Sequence, residues 1–89
     1  MKTITIVDNL TVNDIIQITH NDGNISIADY YYKRKWVVEL IHKDNHGKAN
    51  TIVLRGQNKK TGAYVLGRAI LTDNLLKYAT VTILANRAN

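Results

Sequence analysis

The 89-residue sequence has no cysteine, no proline and no phenylalanine, and it contains a single glutamate. Without cysteine, neither a disulfide framework nor a thiolate metal site can form, and small secreted domains usually depend on such cross-links. A cytoplasmic location is therefore expected. Asparagine, isoleucine and lysine, whose codons are AT-rich, are abundant, which favours a bacterial source or a phage-infected bacterial host.

The absence of proline leaves the outer strands of any sheet without a residue that blocks pairing with another chain. A homo-oligomer, with a dimer favoured, is the expected consequence. No apolar run in the sequence approaches the roughly 18 residues that a membrane-spanning helix requires, so no membrane partner is expected. The length fits a single compact domain over residues 1–89, with a frayed tail at residues 86–89.

β-branched residues dominate what is present, with 11 isoleucines, 7 valines and 9 threonines. Their restricted χ1 angles suit a pleated strand better than a helix. Frequent turn signals between short apolar segments are typical of small barrels and sandwiches. The predicted fold is mainly β, within the β-rich α+β class: a small antiparallel meander forming a partly open barrel or sandwich. One short helix is predicted near residues 73–79, capped by Asp73.

Alternating or apolar segments separated by polar turns predict the individual strands. Strands are predicted at residues 3–7, 16–18, 25–32, 36–42, 51–55, 63–71 and 80–85, with turns at 21–24, 44–47 and 57–62. Alternation places Ile4 and Ile6 on one face of the first strand. It also places Trp36, Val38 and Leu40 on one face of a central strand.

Positive charge is concentrated in the middle of the chain. From Lys33 to Arg68 there are nine lysines and arginines against two acidic residues, a net +7, whereas the remainder has three against five, a net −2. Such an asymmetric field attracts polyanions, and the phosphate backbone of nucleic acid is the commonest one. The same charge also keeps a small protein soluble, and the composition alone does not separate these two roles.

Aromatic and basic residues are most concentrated in the segment Tyr-Tyr-Tyr-Lys-Arg-Lys-Trp at residues 30–36. In an extended strand, two of its rings and a guanidinium share a face. Proteins that bind single strands combine rings, on which bases stack, with cations that follow the phosphates. Tyrosine and tryptophan are also ordinary strand residues, and Trp36 is equally the expected core anchor of a chain without phenylalanine.

The polar loop at residues 57–62 is the second basic feature, because it carries Lys59 and Lys60 between strands that carry Arg55 and Arg68. Lysines and amide donors on such a loop suit phosphate contacts, although polar tips are common to hairpins in general. The predicted nucleic-acid-binding residues are Tyr31, Tyr32, Lys33, Arg34, Lys35, Lys43, Lys48, Arg55, Lys59, Lys60 and Arg68.

Catalytic and metal-binding groups are scarce. The aspartates fall at predicted turns and caps, where their side chains accept backbone hydrogen bonds, and His42 with His46 lacks an obvious third ligand. We therefore expect neither an enzyme nor a bound metal or cofactor. One alternative is a metal-free ribonuclease with Glu39 as base, His42 as acid and Arg55 as phosphate clamp. Strand alternation argues against it, because it directs Glu39 and His42 to opposite faces.

The sequence thus predicts a small basic protein that binds nucleic acid, either single-stranded DNA or RNA, through a cationic surface aided by aromatic stacking. Two alternative functions belong to other functional classes. One is an accessory protein of a phage or mobile element that binds an acidic host protein and inhibits or adapts it. The other is a self-assembling structural component. The sequence is not recognised as a member of a known family.

Overall fold

The computed structural model describes residues 2–20 and 34–88. The described strands are Lys2–Ile4 (β1), Asp14–His20 (β2), Trp36–Lys43 (β3), Ala49–Gly56 (β4), Leu66–Leu71 (β5) and Ala79–Asn86 (β6). They form one antiparallel sheet that is not closed into a barrel. The prediction of a mainly β, antiparallel fold is confirmed. The predicted turn at 21–24 and strand at 25–32 lie outside the described residues.

The strand order is β1-β6-β2-β3-β4-β5. β2 to β5 follow one another as the predicted meander does, but β6 returns across the molecule and lies between β1 and β2. Among the described residues, β2 meets β6 at seven register positions, β3 meets β4 at seven, and β2 meets β3 at two, Ile15 with Val37 and Ile16 with Trp36. We call β1, β6 and β2 the terminal half-sheet, β3, β4 and β5 the central half-sheet, and the β2–β3 pairing between them the seam.

Both half-sheets bury one face in a shared core. At the seam, Ile16 of β2 pairs with Trp36 of β3, and both side chains are fully buried. Burial of one such side chain stabilises a fold by about 1.5–3 kcal/mol. The core cluster consists of Ile4, Val7, Leu10, Ile16, Ile18, Trp36, Val38, Ala49, Ile52, Leu54, Ala69, Leu71, Ala79 and Val81.

A β-bulge at Glu39 changes which residues of β3 face the core. Val38 and Leu40 pair with consecutive residues of β4, so Glu39 between them has no partner there. Alternation shifts by one position at such a bulge. Trp36 and Val38 are buried, Ile41 packs against the core, and Leu40 is 47% exposed on the opposite, outer face. The prediction that Leu40 shares the face of Trp36 and Val38 is wrong for this reason.

The segment predicted as a short helix forms only a 3-10 turn, Leu75–Lys77. Asp73 does not cap it. The Asp73 carboxylate instead accepts the backbone N–H of Val7 at 2.7 Å, which ties this turn to a second 3-10 turn, Val7–Asn9, from the start of the chain. β1 has already ended at Ile4, so Ile6 is partly exposed and Val7 occupies the buried position.

The buried carboxylate of Asp14 closes the turn that precedes β2. Its two oxygens accept the backbone N–H of Thr11 and the side-chain amide of Asn86, each at 2.8 Å. The backbone N–H of Arg87 also donates to the carbonyl of Asn13, so Asn86 and Arg87 are both bonded to this turn. No helix among the described residues is long and apolar enough to cross a membrane.

Candidate functional site

The two half-sheets differ in charge. Residues 34–71, which contain the central half-sheet, carry eight lysines and arginines against two acidic residues, a net +6. The described remainder, residues 2–20 and 72–88, carries three of each sign. The segregation seen along the sequence is therefore also a segregation in space, because the basic segment folds into one half of the sheet.

Within the central half-sheet, the predicted site residues fall into three groups. The first lies at the end of the half-sheet where β3 begins and the β4–β5 loop projects, and we call it the basic end: Arg34, Lys35, Lys59 and Lys60. The second, Arg55 and Arg68, lies on the outer face. The third, Lys43 and Lys48, lies at the opposite end, beside the β3–β4 turn. Tyr31, Tyr32 and Lys33 lie outside the described residues.

The basic end is held together by backbone hydrogen bonds. The N–H of Gln57, the first residue after β4, donates to the carbonyl of Lys35 at 2.9 Å. This bond fixes the base of the β4–β5 loop beside the start of β3. The segments that carry Lys59 and Lys60 on one side and Lys35 on the other are therefore neighbours, although they are far apart in sequence.

The β4–β5 loop is itself a closed turn. The N–H of Asn58 donates to the carbonyl of Ala63 at 2.8 Å, and the N–H of Gly62 returns a bond of 2.7 Å to the carbonyl of Asn58. The Asn58 side chain accepts the N–H of Lys60 at 2.9 Å, an arrangement that Asn favours in turns. Gly62 has φ +75°, which a residue with a side chain adopts only with strain. The loop thus presents two exposed lysines on an ordered tip.

Among residues 2–20 and 34–88, the two ion pairs both involve Glu39. Its carboxylate accepts the Nε–H of Arg55 and lies 3.3 Å from Nη2 of Arg68. Alternation from the buried Val38 places Glu39 on the outer face, where the two arginines face each other across β4 and β5. The second group therefore has a net charge of only +1, whereas Lys35, Lys59 and Lys60 make no ion pair with any described residue.

Lys43 and Lys48 are also exposed, but they do not join the basic end. Lys43 lies eight positions along the chain from Lys35, which corresponds to about 25 Å of strand. The β3–β4 turn, which lies between Lys43 and Lys48, is closed by Asp44. Its carboxylate accepts the N–H groups of His46 and Lys48 at 2.8 and 3.0 Å. Lys43 and Lys48 therefore lie apart from the basic end.

Trp36 is a core residue and is not available for stacking, since it is only 1% exposed. Arg34 lies against it, with the guanidinium carbon 5.8 Å from the ring centroid, which is within the range of a cation–π contact. Of the two interpretations of Trp36 that its sequence allows, the structure supports the core anchor.

An aromatic–arginine pair that sequence reasoning missed lies next to the β4–β5 loop. Tyr64 lies near the end of this loop, two residues before β5, and the guanidinium of Arg87, which follows β6, lies 5.4 Å from its ring centroid. Burial raises the pKa of the Tyr64 phenol above its usual 10.0, and the charge of Arg87 partly opposes that rise. No local pattern predicts this contact, because the residues lie at the ends of strands in different half-sheets.

Two members of the trio considered for a ribonuclease, Glu39 and Arg55, form an ion pair in this fold. The bulge places Glu39, His42 and Arg55 on the same face, contrary to the expectation from alternation. However, Leu40 lies between Glu39 and His42 on that face, and Glu39 is engaged by both arginines. The residues that the structure describes contain no cluster of three His, Asp or Glu side chains suited to a metal ion.

Comparisons with protein-family models, with curated proteins and with solved structures return no significant match to this chain. Its function is therefore inferred from the chemistry of the site, because a fold alone does not imply a function.

Proposed function

We propose that this protein binds nucleic acid through the basic end of the central half-sheet. The observation that supports the proposal most directly is the ordered β4–β5 loop, which presents Lys59 and Lys60 beside Lys35 with no ion pair to a described residue. Cations that already have carboxylate partners gain less from a phosphate. Lys35, Lys59 and Lys60 have no carboxylate partner among residues 2–20 and 34–88.

Electrostatic attraction is the physical basis of the proposal. Lysines and arginines that meet phosphates release condensed counterions, so the affinity falls as salt rises. If the four cations of the basic end each meet a phosphate, log affinity against log salt should have a slope of roughly −3 on a single strand. Because the loop is already closed by its own hydrogen bonds, little backbone order has to be imposed on binding.

The test measures binding of a labelled single-stranded oligonucleotide by fluorescence anisotropy at a series of salt concentrations. The variant Lys59→Ala/Lys60→Ala removes two cations from the basic end. Its matched control, Lys43→Ala/Lys48→Ala, removes the same charge from the opposite end of the same half-sheet. We expect the first variant to lose about 1.4 from the steepness of the slope and the control to lose much less.

Equal losses for the two variants would show that net charge alone matters and would contradict a site at the basic end. Absence of wild-type binding at low salt would contradict nucleic-acid binding altogether. In that case the acidic protein partner, the main alternative from the sequence, is sought by pull-down from nuclease-treated lysate. The cytoplasmic location and the homodimer stay predictions of the sequence.

A further inference from the structure

An apolar row crosses the outer face of the central half-sheet. Leu40 of β3 pairs with Val53 of β4, and Val53 pairs with Ile70 of β5. All three lie outside the core cluster. Leu40 and Ile70 are each 47% exposed, and Val53 between them is 9% exposed. Leu40 and Ile70 thus expose aliphatic side chains on either side of the buried Val53.

Polar groups border this row along the strands. On one side lie Arg55 and Arg68, which are held by Glu39, and on the other side lie His42 and Thr51. Arg68 is two residues from Ile70 on the same face of β5, about 7 Å away. Its side chain is 61% exposed despite the ion pair. A ligand on the row therefore meets an aliphatic surface with a guanidinium at its edge.

The charge around the row selects among possible occupants. A second copy of this chain would bring another net +6 half-sheet against the first, which is unfavourable. A nucleic-acid duplex offers phosphates but keeps the flat faces of its bases inside the stack. An unpaired strand offers both an anionic backbone and exposed base faces, which pack on apolar and aromatic side chains.

We infer that the row Leu40–Val53–Ile70 is a base-contacting surface that gives the protein a preference for single-stranded nucleic acid. The inference rests on the proposed function, since the basic end supplies the attraction to phosphate. The row adds a contact that depends on unpaired bases. It is about 10 Å wide across three strands, and its apolar contribution is independent of salt, in contrast to that of the lysines.

The variant Leu40→Ser/Ile70→Ser tests the row, and Ile6→Ser/Val12→Ser is its matched control, because Ile6 and Val12 are similarly exposed aliphatic residues outside the central half-sheet. Binding to a single-stranded oligonucleotide and to a duplex of the same sequence is measured across a salt series. We expect the row variant to lose about tenfold in single-strand affinity with an unchanged salt slope and an unchanged duplex affinity. The control should retain the single-strand affinity.

A variant with an added ring keeps the test independent of any loss of folding. Leu40→Tyr should raise single-strand affinity severalfold, because a ring stacks on a base better than an aliphatic chain does. Wild-type protein that binds duplex and single strand equally, or a row variant that binds like its control, would overturn the inference while leaving the proposed function intact. Absence of all binding at low salt would overturn both.

Discussion

The terminal and central half-sheets each contain three antiparallel strands, but they differ in the partners of their carboxylates. In the terminal half, Asp14 and Asp73 accept backbone N–H groups and hold turns in place. In the central half, Asp44 closes a turn in the same way, but Glu39 forms ion pairs with Arg55 and Arg68 on the outer face. The central half also retains an excess of exposed cations, which the described terminal half lacks. Under the proposed function, the binding residues all lie in the central half.

The largest expected effect is the loss of stability when a buried side chain at the seam is removed. Replacing Trp36, which pairs with Ile16 across the seam, by alanine leaves a large cavity and should lower the free energy of unfolding by about 3–5 kcal/mol. Urea denaturation measures this loss. As a control, Val65→Ala at an exposed loop position should change stability by no more than about 0.5 kcal/mol. A similar loss in both variants would contradict a seam that holds the halves together.

Exchanging a carboxylate in each half should separate effects on stability from effects on binding. Asp14→Asn puts an amide where a buried carboxylate accepts two bonds, and we expect a loss of about 1–3 kcal/mol with no change in the salt slope of binding. Glu39→Gln breaks surface ion pairs and should alter stability by at most about 1 kcal/mol. It releases Arg55 and Arg68, so nucleic-acid affinity should rise and the slope should steepen. Urea denaturation and the anisotropy titration measure both variants, and the reverse pattern would contradict the assignment of binding to the central half.

The smallest expected effect concerns Tyr64, whose ring meets Arg87 between the halves. Burial raises the pKa of the phenol above 10.0 in the folded protein. The folded state therefore holds this proton more tightly than the unfolded state. The contribution of this phenol to the free energy of unfolding is fully present below pH 10. It declines as the pH rises through the folded-state pKa. Tyr64→Phe should lack this alkaline decline, which thermal unfolding across alkaline pH, with tyrosinate absorbance as a second readout, detects.

Much of the strand pattern was predictable, because local alternation and turn residues act over a few positions. The predicted strand at 36–42 is observed as Trp36–Lys43, that at 51–55 as Ala49–Gly56, and that at 80–85 as Ala79–Asn86. The turn at 44–47 closes on the Asp44 carboxylate as its sequence indicates. Each of these features depends on the propensities of adjacent residues.

Other features depend on contacts between distant segments and have no local signal. The bulge that exposes Leu40 depends on how β3 is paired with β4. Asp73 stands at a helix-capping position in the sequence, but its carboxylate accepts the backbone N–H of Val7, which is far away along the chain. The placement of β6 between β1 and β2 is a choice of strand order, which alternation does not encode.

The sequence by itself determined that the protein is β-rich and that its positive charge lies in the middle of the chain, because both follow from which residues are adjacent. Only the tertiary structure decided which cations act together. Backbone hydrogen bonds bring Lys35 beside the loop of Lys59 and Lys60, and the register of β3, β4 and β5 places Glu39 beside the two arginines. Register between strands sets these distances, and register is fixed by the packing of the whole sheet.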